Sequence, residues 1–475
     1  MNMRGMHPEL GGLLVLAACV MPWLSGCVDT REVIVDAAAF ENPPAAAGGF
    51  LGYARGNGTQ PVCGGCHPGS YNEWKGTEHA HAWESLEESG AAAATCENCH
   101  TVGPLGNATV TQAGYAATKD SRYHDVQCES CHGPGLNHVT DPEATQPLAS
   151  IEVDTARQNG CGECHSGAHA PFVEEWAVSR HGKRGTHQQE EAACVQCHEA
   201  KGVLAAWGLK PEYAEQEDAD TPNPIVCAVC HDPHNATNDH QLRYPINVAD
   251  VERNLCMKCH HKRAVPELTN TRGAHSPQGP LLLGAEVGWV PPNMSYNNGQ
   301  IVGTHGTARN PRLCAGCHVN RTEVTDKLTG KFVFNSTGHL FKPIPCLDAQ
   351  GIPNAVADCP LEQRSFKSCT TANCHGSEVS ARSALTVART RLTDLANTTK
   401  ALLTKVPASE FSITDNRIST AEGSKFNADM CLQAGSAIHN PFLCEALLTA
   451  GIKQLKAEYG VTAPSALALT NVLGH

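Results

Sequence analysis

Apolar residues recur with a helical period in only one long part of this chain. Ala381, Leu385, Ala388, Leu392, Leu395 and Leu402 share one face of a helix that must end by Pro407. A second helix is predicted from Pro441, with Asn440 as N-cap and Gly460 as the stop. Leu448, Ile452, Leu455 and Tyr459 line its inner face. The pair predicts a C-terminal helical hairpin. Residues 28–60, with NPPAAAGG, carry few periodic apolar positions, and residues 273–345 are rich in Gly and Pro, so both predict irregular chain. Alternating strand patterns are scarce. The expected fold class is therefore mostly α, with much loop and few strands. One more apolar run, residues 11–24 behind Arg4, is too short to span a membrane and reads as the core of an export signal over residues 1–26.

Composition sharpens this picture. Only 5 % of the 475 residues are aromatic and 41 % are hydrophobic, whereas Cys (24) and His (25) are far above ordinary usage. A large bound cofactor could supply the missing apolar core. The net charge of −13, with no long Lys/Arg run, argues against a nucleic-acid partner, which needs a concentrated basic face.

The cysteines carry the chemistry. CxxCH occurs eight times, with cysteine pairs Cys63/Cys66, Cys96/Cys99, Cys128/Cys131, Cys161/Cys164, Cys194/Cys197, Cys227/Cys230, Cys256/Cys259 and Cys314/Cys317. The histidines that follow are His67, His100, His132, His165, His198, His231, His260 and His318. A ninth, stretched version, CTTANCH, holds Cys369, Cys374 and His375. Two thiols at this spacing can form thioethers with the two vinyl groups of one haem, and the next histidine then becomes the proximal iron ligand. Zinc sites use CxxC pairs too, but do not need a histidine always in the next position. We therefore expect about nine covalently bound c-type haems, numbered here as motifs 1 to 9. For motif 9 the alternative is a disulfide from Cys369 to Cys346 or Cys359. Cys346, Cys359, Cys431 and Cys444 remain, and bridges Cys346–Cys359 and Cys431–Cys444 are expected, with free thiols as the alternative.

After the signal, only Met257, Met294 and Met430 are left to act as methionine ligands. Mostly bis-histidine, low-potential haems follow as the expectation. WKGTEH and WAVSRH share Trp-x4-His after a motif, which makes His79 and His181 the leading second ligands. His138 and His240 follow motifs at similar distances. His124, His187, His275, His305, His339 and His439 complete the candidates. His81, His169, His234 and His261 are read as surface histidines.

The motifs also repeat. Their first cysteines step by 33, 32, 33, 33, 33 and 29 residues through motif 7. Motifs 1, 2 and 3 match motifs 4, 5 and 6 at offsets of 98, 98 and 99. This reads as a duplicated trihaem unit, a stacked array. The expected division is residues 1–26 signal, 27–60 lipid tether, 61–158 and 159–245 the two trihaem repeats, 246–345 a loop-rich dihaem region, and 346–475 the ninth haem with the C-terminal helices packed against it.

These motifs resemble multihaem c-type cytochromes. YHDVQCESCHGPGLNH, residues 123–138, with WKGTEH, is similar to the tetrahaem cytochromes that accept electrons from hydroxylamine oxidoreductase, and to surface cytochromes of metal-reducing bacteria. Motifs with four intervening residues, like CTTANCH, also resemble haem sites of small tetrahaem cytochromes. LSGC, residues 24–27, resembles a lipobox, which implies an acylated Cys27 and an exported outer-membrane lipoprotein facing periplasm or cell surface. The resemblance implies a haem-packed fold and electron transfer with other cytochromes as partners. Two alternatives stand beside it. One is an oxidoreductase for a small nitrogen or sulfur compound at one five-coordinate haem. The other is a homo-oligomer, the subunit of an extracellular haem filament.

Overall fold

The computed structural model describes residues 43–52, 62–153, 160–167, 169, 171–209, 212–216, 222–268, 272–371, 374–412, 414–462, 469 and 472–473. The export signal and Cys27 lie outside the described residues. No described helix is long and apolar enough to cross a membrane.

Short helical turns joined by irregular chain make up most of the described residues up to the last third. Three of these turns matter below: α1 (Pro68–Trp74), α2 (Phe172–Ala177) and α3 (Gln278–Leu283). The tryptophans of the two Trp-x4-His stretches make matching ties. Trp74 Nε1 donates to Val126 O at 3.1 Å, and Trp176 Nε1 donates to Ile225 O at 2.8 Å. Strands are few: β1 (Glu323–Thr325) pairs antiparallel with β2 (Phe332–Asn335), and β3 (Cys346–Leu347) with β4 (Pro353–Asn354). A disulfide joins Cys346 to Cys359.

The C-terminal part holds the largest apolar core. Helix α4 (Glu378–Leu403) starts at a capping box of Ser377 and Ser380 and buries Ala381, Ala388, Leu392, Leu395 and Leu402. Between it and the second helix of the expected hairpin lies a third, α5 (Thr420–Cys431), opened by a Ser419/Glu422 capping box. Helix α6 (Pro441–Tyr459) has Asn440 as N-cap, its side chain accepting from Leu443 N, and ends at Gly460 with φ +63°. Leu392, Leu395, Phe426, Met430, Leu447 and Ile452 of the three helices share one buried cluster, so the hairpin is part of a three-helix unit. Buried Glu445 accepts from Arg391 Nε at 2.7 Å across it.

Two further expectations change. Cys431 and Cys444 meet in this core as thiols, not as a bridge. The helices also rest on the loop-rich region: Asn427 exchanges two hydrogen bonds with the Trp289 backbone, and a Cβ on Gly423 would collide with the Trp289 ring. Residues 43–52, read as tether, pack inward. Phe50 and Ala47 are fully buried beside Ala113 and Tyr123, and Glu129 accepts from Leu51 N and Gly52 N.

Candidate haem-binding sites

Each motif is built around one tight turn. The histidine N–H bonds back to the carbonyl of the first cysteine, for example His67 to Cys63 at 2.8 Å and His231 to Cys227 at 2.9 Å. This turn puts both thiols and the imidazole on one side. The stretched motif closes in the same way: His375 N donates to Cys369 O at 3.1 Å. The two chemical ends of the motif thus meet as they do elsewhere.

Eight of the motif histidines face a second histidine. The pairs are His67 with His138, His165 with His79, His132 with His234 and His260 with His181. The others are His198 with His275, His231 with His339, His375 with His305 and His318 with His439. Their ring centroids lie 6.0 to 6.4 Å apart in every case. Subtracting a ring radius of about 1.1 Å on each side leaves about 4 Å, the span of two metal–nitrogen bonds of about 2 Å each. This is too wide for ring stacking and right for one iron between two imidazoles.

The surroundings fit the same group. A backbone carbonyl can only accept, so Nδ1–H must be the donor in His132 to Pro147 O (2.6 Å), His138 to Thr145 O (2.6 Å) and His318 to Phe341 O (2.9 Å). That tautomer leaves Nε2 bare, as a metal ligand requires. His305 Nδ1 is held by Ile438 O at 2.9 Å, and His339 Nδ1 lies 3.2 Å from Thr337 Oγ1. His439 Nδ1 is buried without a hydrogen-bond partner. Burial, aided by neighbouring histidines, lowers the pKa of His79, His181 and His339 to about 4 and that of His439 to about 3, so all four are neutral. A cavity of about 310 Å³ opens beside motif 3, lined by Cys131, His132, Gly133, Pro134 and Leu148.

The motifs touch one another through their thiols. Cys99 lies beside Cys164, Cys161 beside Cys227, Cys197 beside Cys259, and Cys256 beside Cys314. The neighbouring Cys164 thiol lowers the Cys99 pKa to about 7, while burial raises that of Cys131 to about 12 and that of Cys230 to about 11. Cys131 lies within electrostatic reach of Cys161, Cys256 of Cys230, and Cys317 of both Cys369 and Cys374. His132 senses His67. The motifs thus form a run in the order 1, 3, 4, 6, 7, 8, 9, with motif 2 beside 4 and motif 5 beside 7. Cys66 and Cys374, at the two ends of the run, are the exposed motif cysteines.

Some sequence candidates stand elsewhere. The His187 side chain is 78 % exposed, near Glu191. His240 sits at φ +58° and lends only its carbonyl, to His231 Nδ1 at 2.8 Å. The His124 ring stacks on Trp83 at 3.8 Å. His234, read as a surface residue, faces His132 instead. The facing histidines lie far from their motif partners in sequence, and His234 carried no motif to mark it. His81 (beside Glu84) and His261 (bonded to Met257 O) face no motif histidine, and His169 is exposed. Among the described residues no histidine ring faces that of His100, whose Nδ1 is held by Ala82 O at 2.8 Å.

Nine such turns, each holding two thiols and an imidazole, are what a multihaem c-type cytochrome uses to attach its haems, and the comparisons point to the same class. Residues 62–133 match the family model for cytochrome c554 and c-prime, and residues 223–265 match the doubled CXXCH motif. The chain is similar to the C-type polyheme cytochrome OmcC of Geobacter sulfurreducens, 30 % identical over 29 % of this chain and 20 % of that protein. It is similar to the multiheme cytochrome MtrA of Shewanella baltica, 26 % identical over 30 % of this chain and 44 % of that one. Cytochrome c-554 of Nitrosomonas europaea is 28 % identical over 23 % of this chain and 61 % of its own. The matched stretches thus span less than two thirds of each relative. The solved outer cell wall cytochrome OcwA aligns over 76 % of this chain and 75 % of its own, with a TM-score of 0.49 and 17 % identity.

Proposed function

We propose that this chain binds nine haems and conducts electrons along the run of motifs, taking them up at one exposed end and releasing them at the other. The single observation that carries this reading is the set of eight histidine pairs at one common separation, each with one motif histidine. A haem held in such a pair supplies one-electron chemistry without opening a site to substrate. The chain's own part is to attach through two thioethers, to grip from both sides, and to press neighbouring motifs together. Exposed Cys66 and Cys374 favour motifs 1 and 9 as contact points for partner cytochromes. The signal over residues 1–26 and an acylated Cys27 would hold the chain at the outer membrane, facing periplasm or cell surface.

Mass spectrometry of the purified holoprotein tests the haem number, and a reductive titration tests the ligation. Nine haem additions and midpoints mostly below zero are expected. A majority of clearly positive midpoints would refute the paired-histidine assignment.

One observation favours a second reading. His100 faces no histidine among the described residues, and a five-coordinate haem there would admit a small nitrogen or sulfur compound.

A further inference from the structure

The duplication extends beyond the first six motifs, and it points to a partner for His100. Motif 2 corresponds to motif 5, so His100 stands where His198 stands. Motif 5 leans on motif 7 through Cys197 and Cys259, and motif 2 leans on motif 4 through Cys99 and Cys164. Motif 7 therefore occupies, relative to motif 5, the place that motif 4 occupies relative to motif 2.

His198 is faced by His275, at 6.1 Å. His275 lies in the sequence GAHSP, residues 273–277, which leads from motif 7 into α3. Motif 4 is followed by GAHAP, residues 167–171, leading into α2. The described residues that flank the two connections are bonded alike. Helices α2 and α3 each have six residues and begin directly after the proline. Val173 N donates to His165 O at 3.3 Å, and Gly279 N donates to His260 O at 2.9 Å. Glu175 N donates to Pro171 O at 3.2 Å, and Leu281 N donates to Pro277 O at 2.9 Å. The difference is length: residues 261–271 intervene only in the second copy. The histidine that corresponds to His275 is His169.

We propose that His169 is the sixth ligand of the haem at Cys96, Cys99 and His100. The inference rests on the haem-binding reading of motif 2. His169 is exposed in the structure, and a short connection anchored at His165 and Pro171 carries it. A haem attached at Cys96 and Cys99 would give its imidazole an iron to bind, and nine bis-histidine sites would result. The five-coordinate reading of this motif then falls.

The test is the low-temperature EPR spectrum of the oxidised, full-length holoprotein and of His169→Ala, with haems counted by mass. The expected result is low-spin signals alone in the parent. One haem in nine turns high-spin in the variant and returns to low-spin when imidazole is added. A high-spin haem already in the parent and unchanged by His169→Ala overturns the proposal, as does a variant that stays wholly low-spin. If His169→Ala loses haems generally, His169→Met decides through the near-infrared band of His–Met ligation on one haem, and its absence overturns the proposal. A motif 2 peptide without haem mass would instead overturn the underlying reading.

Discussion

Glu175 offers a direct way to tune one site from a distance. Its carboxylate accepts from Thr337 N at 2.9 Å, from Thr337 Oγ1 at 2.8 Å and from His339 N at 2.7 Å. Because the Thr337 hydroxyl donates to Glu175, its oxygen is left to accept from His339 Nδ1, 3.2 Å away. A negative charge is thus coupled through one hydroxyl to the imidazole that faces His231. The two bonds, with half of the 6.4 Å ring separation, put that charge on the order of 9 Å from the centre of the gap. At an effective dielectric of about 20, a unit charge at this distance contributes about 1.8 kcal/mol. For one electron that is on the order of 80 mV. Glu175→Gln keeps the shape and removes the charge, so the ferric state loses stabilisation and the midpoint rises. Spectroelectrochemical titration of parent and variant, with EPR to follow individual haems, is the assay. One centre should move up by about 80 mV, and the rest should stay in place. An unchanged haem count with no midpoint moved would refute the coupling. Thr337→Val, which cuts the link and keeps the charge, should give a smaller shift at the same centre.

Other expectations concern stability and thiols. Glu129→Ala strands the N–H groups of Leu51, Gly52 and Gly135. It should cost roughly 3–6 kcal/mol in a denaturant melt and speed proteolysis within residues 43–52; unchanged stability would contradict the buried tie. Tyr123 donates to Phe50 O at 2.8 Å, and burial raises its phenol pKa to about 12. The unfolded phenol ionises near pH 10, so its stabilisation is complete below that pH and is lost as pH rises toward 12, by roughly 2.7 kcal/mol in all. Tyr123→Phe should flatten that part of the stability–pH curve, and identical curves would refute the assignment. A non-reducing peptide map should show Cys346 bridged to Cys359, while Cys431 and Cys444 alkylate only after unfolding.

The local chemistry was readable in the sequence, and the long-range pairing was not. CxxCH is a single turn, so its spacing alone announces its geometry. Helix α6 could be bounded from Asn440, Pro441 and Gly460 because caps act within one turn. Helix α5 was missed although Ser419 and Glu422 spell a capping box, since mixed polarity hides its apolar face. The second histidines obey no local rule. Trp-x4-His marked His79 and His181 because that element is repeated, whereas His234 looks like any loop histidine. His240 sits near in sequence but is turned by a positive φ, so only its carbonyl serves motif 6. Residues 43–52 read as tether because their burial depends on Ala113, Tyr123 and Glu129, far along the chain.

The histidine pairs cross between repeats in both directions. His79 of the first repeat reaches motif 4 in the second, and His234 of the second reaches back to motif 3; His181 and His339 continue the exchange onward. No single repeat therefore owns a full set of clasps. A fragment cut at a repeat boundary would leave half-closed sites on both sides of the cut, while an extra repeat spliced into the interior would find a donor waiting on each flank. Such a chain tolerates an added unit more readily than a lost one.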